Sequence, residues 1–409
     1  MRKTAGVPSH RGFVVYNFGL ASFIPGSRSN SRVRRLRLKP RVLFVDDDPL
    51  VLSSIRRQIL LKLPDVELVF CQSAKQALQL SMEKQPAIVF SDVRMPEMSG
   101  PDFLNRIAGL HFNTVRFALT GQSEAEQMER TFHIAHQVLS KPTDSSKLIK
   151  LIQTSLAFQS QLNIAPIESF LLRILDGQGS FAAPREIFSL IGREDISLTS
   201  ITEIIEQDVE LKDRLLAVAN SAAVSPARPV TSVPAAISLL GLRVVGIINS
   251  GQAIQRKLGR ESLVRDEIRR SLDYGTMLAF KMSRAIRSVN LPEELQDSAY
   301  QAATYYSFGR ILFSSFSGQA YSDLREDCGD DDVELERREK ERFGVSQEMA
   351  GAYKLFLWGM DEDACLAIAN LTELSPNSAK IRSAIDVARS DLQAHVHDLK
   401  PPSVCGTGG

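Results

Sequence analysis

Val42-Leu43-Phe44-Val45-Asp46-Asp47-Asp48-Pro49 is the stretch that decides the fold. A short apolar run, stopped abruptly by acids and a proline, reads as a buried strand that breaks out of the core at its carboxyl end. The same design recurs downstream. Ala87-Ile88-Val89-Phe90 leads to Asp92, Arg116-Phe117-Ala118-Leu119 to Thr120, and Gln137-Val138-Leu139 to Lys141. In an open parallel sheet the carboxyl ends of neighbouring strands converge on one crevice, where α/β folds place their chemistry. Asp46, Asp47, Asp92, Thr120 and Lys141 are therefore expected to meet in one small polar site. Clustered carboxylates repel unless something cationic joins them, and Mg²⁺ favours such oxygen ligands while keeping several waters. A hydroxyl and an amine on the rim suit a transferred phosphoryl group, one as a hydrogen-bond donor and the other as a point charge.

The strings Val45-Asp46-Asp47-Asp48-Pro49, Ser91-Asp92-Val93-Arg94-Met95-Pro96-Glu97-Met98-Ser99-Gly100, Leu119-Thr120-Gly121 and Leu139-Ser140-Lys141-Pro142 stand in this order across about a hundred residues. Together they resemble the receiver domain of bacterial two-component response regulators. The resemblance implies that Asp92 is the phospho-acceptor and that Asp46, Asp47 and Asp92 hold Mg²⁺. It also implies that Lys141 pairs with the phosphoryl group, that Thr120 senses it, and that the bond before Pro142 is cis. One position departs from the family: three residues before the lysine, where receivers usually carry an aromatic switch residue, this chain has Val138. The acceptor chemistry is expected to be intact and its readout on that face altered.

The receiver is expected over residues 40–160 as a doubly wound, flavodoxin-like parallel sheet. Val51, Ile55, Ile59 and Leu60 form an apolar helical stripe after the first acidic loop. Leu148, Ile149, Leu151, Ile152 and Leu156 mark the last helix, with Asp144 or Ser145 as its cap.

At 409 residues, 44% apolar and 24% charged, the chain has room for two or three ordinary globular domains. No apolar stretch approaches a membrane span. Cys71, Cys328, Cys365 and Cys405 are scattered, which suits reduced thiols in a cytoplasmic protein. The formal charge of +1 hides an asymmetry, because residues 1–41 hold ten Lys/Arg and no acid. Residues 1–39, with Arg32-Val33-Arg34-Arg35-Leu36-Arg37 at their basic centre, read as a disordered extension outside the fold.

From about residue 165 helical periodicity takes over. Ile201, Ile204 and Ile205 share one face, and Leu211, Leu215, Val218, Ala219 and Ala222 another. Helical patterns return over 277–286, 300–313 and 349–358. Ile204-Ile205-Glu206-Gln207-Asp208, Leu215-Leu216-Ala217-Val218-Ala219-Asn220-Ser221 and Ala236-Ile237-Ser238-Leu239-Leu240-Gly241 resemble the HDOD domain. That all-helical module is similar to the HD phosphohydrolases but generally lacks their metal ligands. The resemblance covers 165–370, and residues 376–409 are expected as a C-terminal helix and flexible tail.

An HD enzyme needs His and Asp side chains to hold the metal that makes water nucleophilic at neutral pH. Where the resemblance places the paired His-Asp, this chain has Tyr306-Ser307, and the upstream His position is Tyr274. Gln347 and Asn370-Leu371 stand at other positions where relatives often have His. No histidine occurs between His136 and His395. A catalytic site is therefore not expected in the helical domain, and these residues are read as degenerate positions rather than ligands. His395-Val396-His397 lacks a nearby third ligand, and Glu326-Asp327-Cys328-Gly329-Asp330-Asp331-Asp332 lacks EF-hand spacing, so both read as solvated segments. Asn220-Ser221 reads as a turn cap, and Trp358 as core.

The expected function is that of a response regulator. A histidine kinase or phosphotransfer protein supplies the phosphoryl group, and the HDOD domain carries the output to an unidentified protein partner. Two alternatives belong to other classes. One is an HD-type metal-dependent cyclic-dinucleotide phosphodiesterase, and the other a nucleic-acid-binding regulator acting through the basic N-terminal tail.

Overall fold

The computed structural model describes residues 39–121, 131, 134–162, 198–220, 226, 228–240, 262–329 and 331–398. The basic segment up to residue 38, Ala222 and Cys405 lie outside them.

Strands β1 (Arg41–Val45), β2 (Glu67–Cys71), β3 (Ile88–Asp92), β4 (Val115–Thr120) and β5 (Gln137–Ser140) form one parallel sheet in the order β2-β1-β3-β4-β5. Helices α1 (Pro49–Ile59), α2 (Ala74–Glu83), α3 (Gly100–Leu110) and α4 (Ser145–Gln161) cover its two faces. Alternation along the strands divides the core. Val42, Phe44, Ile88, Phe90 and Phe117 pack with Leu52 and Ile59 of α1 and with Leu148, Leu151 and Ile152 of α4. Leu43, Val45, Val89 and Ala118 face Ala77 of α2 and Phe103, Leu104 and Ile107 of α3.

The register is marked by a ladder of four phenylalanines. The Phe44 and Phe90 rings are 4.7 Å apart, Phe90 and Phe117 4.7 Å, and Phe44 and Phe70 5.3 Å. These separations lie close to the interstrand spacing of about 4.8 Å, so each ring sits on its neighbour in the adjacent strand. With Phe44 opposite Phe90, Val45 falls opposite Ser91, and Asp46 and Asp92 follow at adjacent strand ends. Asp92 lies opposite Leu119, and Thr120 opposite Ser140. Stacked rings in the core thus align the polar residues at the crevice.

Helix α1 begins where Asp48 accepts a hydrogen bond from the Leu50 amide and Pro49 supplies the first turn. Leu52 and Ile59 are buried, whereas Leu60, expected on the same stripe, is 44% exposed. The chain tightens into a 3₁₀ turn over Leu60–Lys62, which changes the period and turns that side chain outward. Asp144 caps α4 by accepting from the Ser146 amide.

Beyond the sheet the described chain is helical: α5 (Leu198–Gln207), α6 (Val209–Ala219), α7 (Val233–Leu240), α8 (Ser262–Ser288), α9 (Glu293–Thr304), α10 (Phe308–Ser317), α11 (Gln319–Cys328), α12 (Asp332–Phe343), α13 (Gln347–Leu357), α14 (Glu362–Ile368) and α15 (Pro376–Asp398). Ile205, Leu211, Leu215, Val218, Ala219, Ala236, Ile237 and Leu240 form one cluster. The side chains of Ile201 and Ile204 lie outside the described residues. Asn220 fastens the end of α6, with its amide donating to the carbonyls of Leu216 and Val230 and its oxygen accepting from the Val230 N–H. None of the helices among the described residues is long and apolar enough to cross a membrane.

Three segments differ from the sequence reading. The helical pattern over 300–313 is broken at Tyr305–Ser307, where the Ser307 hydroxyl donates to the Ser271 carbonyl and ties the chain to α8. The described residues of the acidic run 326–332 are the end of one helix and the start of the next rather than a loop, with Glu326, Asp327 and Asp331 exposed. There α11 ends at Cys328, Gly329 turns with φ +58°, and Asp331 caps α12 through the amides of Val333 and Glu334. Trp358 is half-buried at the end of α13, its ring 5.4 Å from Phe308. His395 and His397 fall within α15.

Candidate functional site

At the carboxyl edge of the sheet, Asp46, Asp92 and Thr120 are 2%, 5% and 7% exposed. Lys141 crosses from the end of β5 to meet two of them. Its Nζ donates to Asp46 Oδ2 at 2.6 Å and also to Asp92 Oδ1. The remaining carboxylate oxygens are engaged as well: Asp46 Oδ1 accepts from the Asp48 amide at 3.0 Å, and Asp92 Oδ2 from the Arg94 amide at 2.9 Å. The Lys141 N–H is bound to the Thr120 carbonyl at 2.7 Å. The Thr120 hydroxyl donates to the Gly121 carbonyl at 3.1 Å. The Lys141–Pro142 peptide bond is cis.

Two opposing effects set the charge of this site. Burial raises the Asp92 carboxyl above its ordinary value, and the hydrogen bond and charge of Lys141 draw it back without cancelling the rise. Burial would lower the Lys141 amine, but its bonds to Asp46 and Asp92 outweigh that and hold it above the ordinary lysine range. A protonated amine therefore bridges two buried carboxyl groups. Among the described residues no three acidic, imidazole or thiol side chains gather closely enough to hold one metal ion. Asp46 and Asp92 converge on Lys141, and Asp47, the next residue in the chain, is exposed. Mg²⁺ commonly takes only one or two carboxylates and completes its shell with water, so the donor set fits it.

Two supporting features were not read from the sequence. The start of α3 lies against the end of β3, so a Cβ on Gly100 would overlap the Asp92 carbonyl. The Gly100 amide donates to the Val93 carbonyl at 2.9 Å, fixing the loop after Asp92. The glycine in Met98-Ser99-Gly100 was the available signal, because close backbone approach is what an unsubstituted residue permits.

The helical domain gathers its own polar cluster around Tyr306, which is 1% exposed. The Tyr306 hydroxyl donates to Glu348 Oε1 and accepts from Arg389 Nη1 at 2.8 Å. Arg389 also bonds Asp332 at 2.7 Å, and Arg310 reaches the same carboxylate at 3.4 Å. The guanidinium carbons of Arg389 and Arg382 stand 4.8 and 5.6 Å from the Tyr306 ring centroid, and that of Arg310 5.6 Å from Tyr274. Burial pushes the Tyr306 hydroxyl far above its ordinary value, and Glu348 also rises. Ser307 and Gln347 lie beside this cluster. Ser307 bonds Ser271, and the Gln347 amide donates to Glu339 at 2.8 Å. Asn370 forms a turn at φ +57°. Sequence reading located Tyr274, Tyr306 and Ser307 but missed the arginines. Arg382 and Arg389 lie seven apart on α15, two helical turns, and that spacing was their only signal.

Two family models match the chain: the response regulator receiver domain over residues 42–153 and the HDOD domain over 183–374. The DNA-binding transcriptional regulator NtrC of Proteus hauseri is 28% identical over 172 residues, 41% of this chain and 35% of that protein. The transcriptional regulatory protein HptR of Staphylococcus aureus is 31% identical over 131 residues, 30% of this chain and 50% of that protein. The chain thus spans between about a third and a half of the length of these two curated relatives. Among solved structures, the signal receiver domain of an HD domain-containing protein from Pseudomonas fluorescens Pf-5 is 31% identical. The match covers 30% of this chain and 98% of that one, with a TM-score of 0.28. With a receiver model and an HDOD model in tandem, the chain belongs to the two-component response regulators, as one that joins a receiver domain to a C-terminal HDOD domain.

Proposed function

We propose that this protein accepts a phosphoryl group on Asp92 from a histidine kinase or phosphotransfer protein and passes the signal on through protein contacts of its HDOD domain. The observation that carries this reading is the Lys141 amine bridging the two buried carboxyl groups Asp46 and Asp92. An Asp92 oxygen attacks phosphorus, an O–P bond forms, and the P–N bond to the donor imidazole breaks. Lys141 then exchanges its carboxylate contacts for phosphoryl oxygens, and the Thr120 hydroxyl, at the adjacent strand end, turns from Gly121 toward them. Asp46 and Asp92 would hold Mg²⁺, which when bound would supply positive charge against the phosphoryl oxygens.

In the HDOD domain the positions expected for His and Asp carry Tyr306 and Ser307, and arginines surround Tyr306. This supports a non-catalytic output domain whose partner is another protein, in a cytoplasmic pathway.

Intact-mass measurement after incubation with Mg²⁺ and acetyl phosphate tests the acceptor. One phosphoryl adduct is expected on the wild type and none on Asp92→Asn or on wild type with excess EDTA. An adduct on both proteins, or on neither, overturns the assignment. Metal-dependent cleavage of a cyclic dinucleotide by the purified full chain would overturn the non-catalytic reading of the HDOD domain.

A further inference from the structure

The parallel sheet has two edges, and they are finished differently. At one, the Gln137 side chain of β5 donates to the Phe356 carbonyl of α13 at 2.6 Å, so the HDOD domain abuts that edge. At the other, β2 pairs with β1, and among the described residues no strand pairs with its outer side. The Glu67 N–H donates to the Pro40 carbonyl at 2.9 Å, and the Cys71 carbonyl accepts from the Asp46 N–H at 3.1 Å. At the strand period of two, Glu67, Val69 and Cys71 therefore turn their backbone groups to β1, and Leu68 and Phe70 turn theirs to the open edge. Edge strands are commonly guarded by charge, proline or a bulge. Here Leu68, Val69 and Phe70 are apolar and half-buried, and the ladder to β1 is unbroken from Glu67 to Cys71. The single charge of the strand, Glu67, is held by Arg41 at 2.7 Å and by Lys84.

We infer that a second copy of this chain covers this edge, its β2 adding antiparallel about a two-fold axis through Val69, so that one sheet runs through both chains. A two-fold interface must be complementary to itself, and β2 meets that condition in this register. Leu68 falls opposite Phe70 of the second copy, and Phe70 opposite its Leu68. These are the residues whose backbone faces outward, so each such pair exchanges both of its hydrogen bonds. A slip of one residue would set outward groups against inward ones and form none. Val69 meets its own copy on the axis, as a close pair without hydrogen bonds. On the α1 face, the row of rings that runs from Phe117 through Phe90 and Phe44 ends at Phe70. Leu68 of the second copy extends that row by one apolar side chain. No like charges oppose each other, because Glu67 falls opposite Cys71. The β5 edges then lie at the two far ends of the joined sheet, and the dimer carries an HDOD domain at each. The inference stands on strand geometry and is independent of the acceptor reading of Asp92.

Sedimentation equilibrium on the full chain tests this. The mass should rise with concentration from 45.3 kDa toward twice that value. Leu68→Pro removes an outward N–H and leaves the bonds to β1, which come from Glu67, Val69 and Cys71. It should raise the dimer dissociation constant at least about tenfold. Val69→Cys sets two thiols across the axis with Cα atoms about 4.5 Å apart, within disulfide reach. Oxidation with copper phenanthroline should trap that variant as a dimer and leave the wild type and Leu68→Cys untrapped. A monomer across the soluble range overturns the inference. So does a dimer that Val69→Cys fails to trap, that Leu68→Cys traps equally, or that a folded Leu68→Pro leaves as tight as before. If circular dichroism shows Leu68→Pro unfolded, the two cysteine variants decide.

Discussion

Two clusters of buried charge in this molecule are built from similar parts and left in different conditions. At the receiver crevice one lysine bridges Asp46 and Asp92, with Asp47 open to solvent beside them. Around Tyr306 in the HDOD domain, Arg310 and Arg389 share Asp332, Arg389 also donates to the Tyr306 hydroxyl, and Glu348 accepts a hydrogen bond from that hydroxyl. The first cluster has a single flexible cation, partly exposed, that can exchange partners when a new anion arrives. In the second, Arg389 is committed at once to Tyr306 and to Asp332, and it projects from a helix whose Ile381, Ala384, Ile385 and Ala388 are fully buried. Buried charge becomes reactive where one face stays open and one partner can leave. It becomes structural where every partner is shared.

The largest stability effect should therefore fall on the closed cluster. Arg389→Ala leaves Asp332 and Tyr306 without their common donor and is expected to cost about 4 kcal/mol. Asp92→Asn removes a carboxyl whose charged form burial disfavours, so it should leave stability unchanged or raise it by about 1 kcal/mol while abolishing the adduct. Chemical denaturation followed by far-UV circular dichroism compares the two, and equal losses would erase the distinction drawn between the clusters.

A pH dependence sharpens the same contrast. Glu339 is 1% exposed, and burial pushes its carboxyl from 4.5 up to about 7, against the opposing pull of the Gln347 amide, the Tyr321 hydroxyl and Arg310, with Glu348 adding to the rise. A carboxyl raised on folding keeps its proton in the folded chain after the unfolded chain has lost it. Its stabilising contribution is complete below about pH 4.5 and is lost as pH rises to about 7, a change of roughly 3 kcal/mol at most. Trp358, the single tryptophan of the chain, lies in the HDOD domain against Phe308. Its fluorescence should show the domain losing stability between pH 5 and 7 in the wild type and losing less in Glu339→Gln. Equal slopes would remove Glu339 as the cause.

The smallest effect lies back at the open site. Asp48→Ala removes the cap of α1 and should cost about 1 kcal/mol, read by denaturation, without preventing the adduct. Loss of phosphorylation in that variant would show that the loop carrying Asp46 depends on its cap.

The receiver was the more legible region for a local reason. Each strand shows itself as an apolar run, and a parallel sheet brings all carboxyl ends to one edge. Asp46, Asp92, Thr120 and Lys141 could thus be assembled from strand order alone. The phenylalanine two positions before Asp46, and again before Asp92, even carries the register. Helical pattern was less decisive. The pattern over 300–313 continues through Tyr305–Ser307, but a side-chain bond from Ser307 to α8 interrupts the helix there. The acids at 326–332 read as a loop because composition does not reveal that Asp331 caps a helix or that Asp332 answers two arginines from α10 and α15.

The sequence by itself determined which polar residues stand at the strand ends and the order of the two domains. Those properties follow from residue type and short-range period, which a chain carries locally. Only the tertiary structure decided which charges close on one another. Arg389 meets Tyr306 across 83 residues, and Gln137 meets Phe356 across 219. Such pairings are selected by burial, where an unmet donor or acceptor is costly and the only available partner is whatever packing brings near.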